Sequence, residues 1–144
     1  MQNNSLKKIL VPIDGSKNSI RALGMAIIIA KNCKAEITGI YCMHERSHSE
    51  TRGIASISKE LKKEARTVLE DAKTTCEKSG VSFTIKILQG DIGFNIVKTA
   101  HQKNNKFDLI VIGSRGRSSL KSMFLGSTSN FVIHESSVPV LIVK

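Results

Sequence analysis

Ile9-Leu10-Val11-Pro12-Ile13-Asp14-Gly15-Ser16 is a short apolar run that ends in a turn. Its apolar residues are continuous rather than alternating. A strand of this kind needs burial on both faces, as in a parallel sheet covered by helices on each side. Asp14-Gly15 breaks the strand, and Ser16, Asn18 or Ser19 is in place to cap a helix. The adjoining segment, residues 19–33, puts Ile20, Leu23, Gly24, Ile27 and Lys31 at helical spacing, and Ile28 and Ile29 widen the apolar face.

Downstream the pattern repeats in kind. Residues 35–43 read as a second strand, and residues 44–58 as a long polar connection. Residues 59–78 make the clearest helix, with Leu61, Ala65, Val68, Leu69, Ala72 and Cys76 on one stripe and Gly80 as its stop. Residues 81–87 alternate apolar and polar, which predicts a strand near a sheet edge with one wet face. Asp91 is placed to cap a helix through Ala100, with Ile92, Ile96, Val97 and Ala100 inward. Residues 107–112 form another continuous strand, a Gly/Ser-rich loop comes next, and a helix over 127–135 precedes the closing strand Val138-Pro139-Val140-Leu141-Ile142-Val143. Strands alternating with helices call for a parallel sheet with right-handed crossovers. The expected fold is one α/β domain over residues 1–144, a five-stranded doubly wound sheet.

Composition agrees. The 144 residues are 40% hydrophobic and 24% charged, a globular mix. Aromatics are 4% with no Trp, so Ile, Leu, Val and Ala must build the core. No apolar run approaches the roughly 20 residues of a membrane span. The opening Met1-Gln2-Asn3-Asn4-Ser5 is polar, unlike a secretory signal. Membrane, fibrous and multidomain classes are thereby excluded. Cys33, Cys42 and Cys76 are an odd, widely spaced set, read as small apolar side chains in a reduced cytosol. The four histidines provide no clustered zinc ligands, and His44 and His48 with Glu45 and Glu50 form at most an adventitious metal site.

The formal net charge is +10. From Leu109 to His134 there is no acid, while Arg115, Arg117 and Lys121 are present, a setting for an anionic ligand. Diffuse basicity elsewhere is solvated surface or a weak, salt-sensitive attraction to nucleic acid. No aromatic platform supports specific single-strand binding.

In doubly wound sheets ligands lie outside the C-terminal ends of the strands, where strand order reverses. Two strand ends stand out, Val11-Pro12-Ile13-Asp14 and Ile112-Gly113-Ser114-Arg115-Gly116-Arg117. A glycine-rich turn lets backbone NH groups approach phosphate oxygens. Ten residues past Gly116, Gly126-Ser127-Thr128-Ser129 opens a helix, whose free NH groups and partial positive charge suit a phosphate. The bland alternative is that Gly113 and Gly116 make a tight turn and Ser127 caps a helix. Asp14 likewise has two readings, an Asx turn or cap, or a carboxylate that accepts hydrogen bonds from a ribose.

The run Gly113-x2-Gly116-x9-Gly126-Ser127 resembles the nucleotide-binding pattern of the ATP-binding branch of the universal stress protein family. The opening strand and turn and the closing strand are similar to that family's as well, so the resemblance covers essentially the whole chain. It implies strand order 3-2-1-4-5. It implies adenine packing near Pro12, Ile13, Cys42 and Ile112, and ribose contact by Asp14. It places phosphates against Gly113, Arg115, Gly116, Arg117, Gly126, Ser127, Thr128 and Ser129. It further implies ATP or another adenine nucleotide as ligand, with Mg²⁺ or Mn²⁺ in many members, a homodimer through the fifth strand, and a cytoplasmic regulatory or stress-response role.

The sequence lacks GxxxxGK[ST], and no second carboxylate comes after the glycine loop to position a water. A binding module is therefore favoured over a slow ATP-hydrolysing enzyme, with a basic nucleic-acid-associated protein as a third reading. Pro139 cannot donate to a ladder, so the last strand belongs at a sheet edge, and a bare apolar edge invites pairing with a second copy.

Overall fold

The computed structural model describes residues 5–44, 54–117 and 125–144, and for residues 54–58 the backbone alone. Five strands alternate with four helices: β1 (Lys8–Pro12), α1 (Lys17–Cys33), β2 (Glu36–Met43), α2 (Ile54–Lys78), β3 (Phe83–Gln89), α3 (Ile92–Ala100), β4 (Leu109–Gly113), α4 (Ser127–Glu135) and β5 (Val140–Val143). All paired strands are parallel, in the order β3-β2-β1-β4-β5. The chain thus winds outward one way through β2 and β3 and the other way through β4 and β5. The reversal opens a crevice at the C-terminal ends of β1 and β4.

The continuous run in β1 divides between two cores. Ile9 and Val11 pack with α1 and α2, while Leu10 packs with α3 and α4. All three are fully buried. The alternating strand β3 lies at one edge, as its half-wet pattern requires, and β5 lies at the other. Ser16 caps α1, its Oγ accepting from Ser19 N at 3.3 Å. Asp91 caps α3, its Oδ1 accepting from Phe94 N at 2.7 Å. Gly80 ends α2 at φ +73.

Several local expectations need correction. Strand β3 is Phe83–Gln89 rather than 81–87, and β4 is Leu109–Gly113 rather than 107–112. The buried face of α1 is Ser19, Ala22, Leu23, Ala26, Ile27 and Ala30, whereas Ile20 and Ile28 are 50% and 57% exposed. The small alanines let α1 approach the sheet closely, and that rotates the larger isoleucines outward. Helix α2 starts at Ile54, five residues before the expected Lys59. Ile54 and Ile57 continue the stripe of Leu61 at helical spacing within what reads as a polar connection. Strand β5 starts at Val140, because Pro139 lies ahead of the ladder. The rest of that connection, with Glu45, His48 and Glu50, lies outside the described residues, as does Lys121. No described helix is long and apolar enough to cross a membrane.

Candidate functional site

A cavity of about 670 Å³ occupies the crevice. Every residue that the sequence suggested for a nucleotide lines it. Pro12, Ile13 and Asp14 come from the end of β1, and Cys42 from the end of β2. Ile112 and Gly113 close β4, and Arg115, Gly116 and Arg117 lie in the loop after it. Gly126, Ser127, Thr128 and Ser129, at the start of α4, line it as well.

The two ends of the loop between β4 and α4 are pinned by Ser114. Its backbone oxygen accepts from Gly126 N at 2.7 Å and from Ser129 Oγ at 2.9 Å, and its own amide donates to Val143 O at 2.8 Å. Ser114 and Ser129 are both buried. The Ser129 hydroxyl is therefore committed to holding the loop, which leaves the hydroxyls of Ser127 and Thr128 at the mouth of α4. Helix α4 begins at Gly126 with no side-chain cap. Its first backbone bond is Asn130 N to Gly126 O at 3.0 Å, so the amides of residues 127–129 precede the helical ladder. Uncapped first-turn amides at a cavity wall form an anion seat.

The glycines of the motif serve different needs. A Cβ on Gly113 would lie 2.8 Å from the backbone carbon of Asn18, so this glycine admits α1. A Cβ on Gly116 would lie 2.8 Å from Asp14 Oδ2. Neither has a positive φ; in this region that conformation falls on Gly15 at +82.

Asp14 accepts from Ser16 N through Oδ1 at 2.9 Å, the Asx turn that was one of its two readings. That bond uses a single oxygen, and the same carboxylate lines the cavity. Arg117 donates from Nε to the backbone oxygen of Asp14 at 2.7 Å, and its Nη2 pairs with Glu64 of α2. The bond to Glu64 pushes the Arg117 pKa further up. Arg115 makes no ion pair among the described residues. Cys42 is pushed up to about 12 by burial, with Asp91 adding to the shift. Burial also raises Tyr41, against the pull of Arg117.

The sequence reading missed Tyr41, Leu61, Gly93 and Phe131 as lining residues, and took Asp91 for a cap alone. The position of Asp91 at the C-terminal end of β3 was the available signal, since every such end in this fold faces the same side. Phe131 carried none: it meets Gly93, where a Cβ would lie 2.6 Å from its ring, only through the packing of α3 on α4. Among the described residues no group of three or more His, Cys, Asp or Glu side chains gathers to hold a metal ion.

The profile of the universal stress protein family matches residues 5–144. The chain belongs to that family. It is similar to the universal stress protein YxiE of Bacillus subtilis, 38% identical over 147 residues that cover 95% of this chain and 98% of that protein. It is also similar to the solved structure of MJ0577, a universal stress protein of Methanocaldococcus jannaschii. There the TM-score is 0.89 at 31% identity, covering 97% of this chain and 96% of the other. Three further universal stress protein structures with the same fold are complexes with cAMP, with AMP (from Arabidopsis thaliana) and with dAMP (from Archaeoglobus fulgidus). Their TM-scores are 0.75, 0.72 and 0.70 at identities of 24%, 20% and 21%. They cover 98%, 96% and 97% of this chain, and 99%, 91% and 99% of their own.

Proposed function

We propose that this universal stress protein is an ATP-binding regulatory module whose nucleotide state alters a partner interaction. The observation that carries the reading is the uncapped start of α4, bonded to the β4 loop at the cavity wall and next to Arg115, which has no ion-pair partner among the described residues. Phosphates sit against Gly116, Gly126, Ser127 and Thr128, the Asp14 carboxylate meets the ribose, and the adenine packs among Pro12, Ile13, Cys42 and Ile112. The family's complexes with AMP, dAMP and cAMP support an adenine nucleotide as the ligand. Mg²⁺ or Mn²⁺ would accompany the nucleotide, held by its phosphates. The sequence lacks the P-loop lysine pattern, which favours a binding module with at most slow turnover. The three free cysteines suit a reducing compartment such as the cytoplasm.

The test is mass spectrometry of small molecules released from freshly purified, denatured protein, and then calorimetry with ATP. Gly116→Val places a side chain against Asp14 Oδ2 and into the phosphate loop, so ATP binding is expected to vanish while far-UV circular dichroism stays unchanged. Equal affinity in variant and parent overturns the assignment of the loop.

The same reading includes a homodimer through β5. Among the described residues this strand pairs with β4 alone, lies at the sheet edge, and is half-buried along its length. Closing two such edges on each other about a two-fold axis hides both. Light scattering is expected to give twice 15.8 kDa, falling to the monomer mass in Leu141→Lys. A monomeric parent at micromolar concentration removes the dimer.

A further inference from the structure

Arg117 ties together three segments that meet at the crevice. Its Nε holds the backbone oxygen of Asp14 at the end of β1, and its Nη2 holds Glu64, 53 residues away on α2. Helix α2 lies against β2 and β3, in one half of the sheet, while the Arg117 loop leaves β4 in the other half. The pair therefore straps the two halves together across the point where strand order reverses. Leu61, one turn before Glu64 on α2, lines the cavity, and so does Arg117 itself.

The strap is weak by construction. The Arg117 and Glu64 side chains are 51% and 41% exposed. Ion pairs at that exposure contribute little, because water screens the charges and two long side chains must be held still. A phosphate group offers the same guanidinium a fork of oxygens and more than one negative charge, a stronger partner. Glu64 meanwhile places a like charge beside any phosphate that approaches Arg117.

We propose that Glu64 competes with the ligand's phosphate for Arg117, so that filling the cavity with a nucleoside polyphosphate releases α2 from the β4 loop. The inference rests on the nucleotide reading above and gives it a physical output: α2 is tethered when the cavity is empty and untethered when it is filled. Glu64 is then a residue that tunes affinity without touching the ligand.

A double-mutant cycle on the full chain, read by calorimetry with ATP, tests this. Glu64→Gln keeps helix propensity and side-chain length, and is expected to tighten ATP binding about two- to five-fold, the exchange value of an exposed ion pair. In the Arg117→Met background, where ATP binds more weakly, the same Glu64→Gln change is expected to have no effect. If Glu64→Gln weakens ATP binding or leaves it unchanged, Glu64 orients Arg117 or stands by, and competition is overturned. If it tightens binding equally in both backgrounds, general charge repulsion is at work and the strap is overturned. A parent protein that binds no ATP overturns the nucleotide reading first, and this inference with it.

Discussion

Helices α3 and α4 both begin at the cavity wall, and they begin in opposite ways. Asp91 fills the start of α3 with its own carboxylate, satisfying Phe94 N at 2.7 Å and placing a negative charge at the positive end of the helix. The start of α4 has Gly126, which has nothing to fill with, and the chain around it is free of acids from Leu109 to His134. One helix terminus is closed by the protein and the other is left open to solvent or ligand. The contrast separates a structural helix start from a binding one within a single cavity. It also explains the chemistry of the two walls. The α3 side is apolar and acidic, with Cys42 held protonated beside Asp91, while the α4 side carries hydroxyls, uncapped amides and Arg115.

The most drastic way to break the contrast is to close α4. Gly126 has φ −72 and ψ 164, an ordinary cap conformation, and a Cβ there would meet nothing nearer than 3.5 Å. Gly126→Asp is therefore expected to fold with unchanged or higher thermal stability. Its carboxylate takes the first-turn amides and repels phosphate. Losing two charge-assisted hydrogen bonds costs about 3 kcal/mol or more, so ATP affinity should fall by roughly 100-fold or more. Calorimetry showing affinity within about ten-fold of the parent would mean that phosphate sits elsewhere.

Opening α3 should do much less to binding and more to folding. Asp91→Ala removes a cap, at a cost of about 1 kcal/mol in urea unfolding. ATP affinity should stay within about two-fold of the parent. A variant of full stability and poor affinity would make Asp91 a ligand contact and erase the distinction between the two helices.

The smallest effect concerns Cys42. Burial and Asp91 both favour the neutral thiol, which moves its ionisation up to about 12. The thiolate is the reactive form, so alkylation of Cys42 by iodoacetamide should stay slow between about pH 7 and 9, below the rate in the denatured chain. Asp91→Ala removes one of the two causes and shifts the ionisation down, so labelling should quicken slightly. Peptide mass mapping separates Cys42 from Cys33 and Cys76. Fast labelling of Cys42 in the parent at about pH 8 would contradict a thiol held neutral.

Much of this architecture is written in local pattern. Ile9-Leu10-Val11 announces burial on both faces because no residue in it tolerates water, and the structure divides it between two cores. The alternation of residues 81–87 announces an edge, and β3 is at one. The glycine spacing and the absence of acids pointed to two strand ends, and one cavity gathers the residues named there. The isoleucines of α1 misled, because helical spacing fits more than one face and only packing against the sheet chooses Ala22, Ala26 and Ala30 over Ile20 and Ile28.

By itself the sequence determined the order of strands and helices, the two-sided burial of the central strands, and the residue types offered at their C-terminal ends. These properties arise from periodicity and turn chemistry, which act over a few neighbouring residues. The tertiary structure alone decided what those residues are committed to. Gly113 is a glycine because α1 passes at Asn18, Ser129 at the cavity wall commits its hydroxyl to Ser114, and Arg117 reaches Glu64. The physical reason is range. A side chain chooses its partner by distance in space, and a partner 53 residues away becomes a neighbour only once the sheet has brought α2 and the β4 loop to the same crevice.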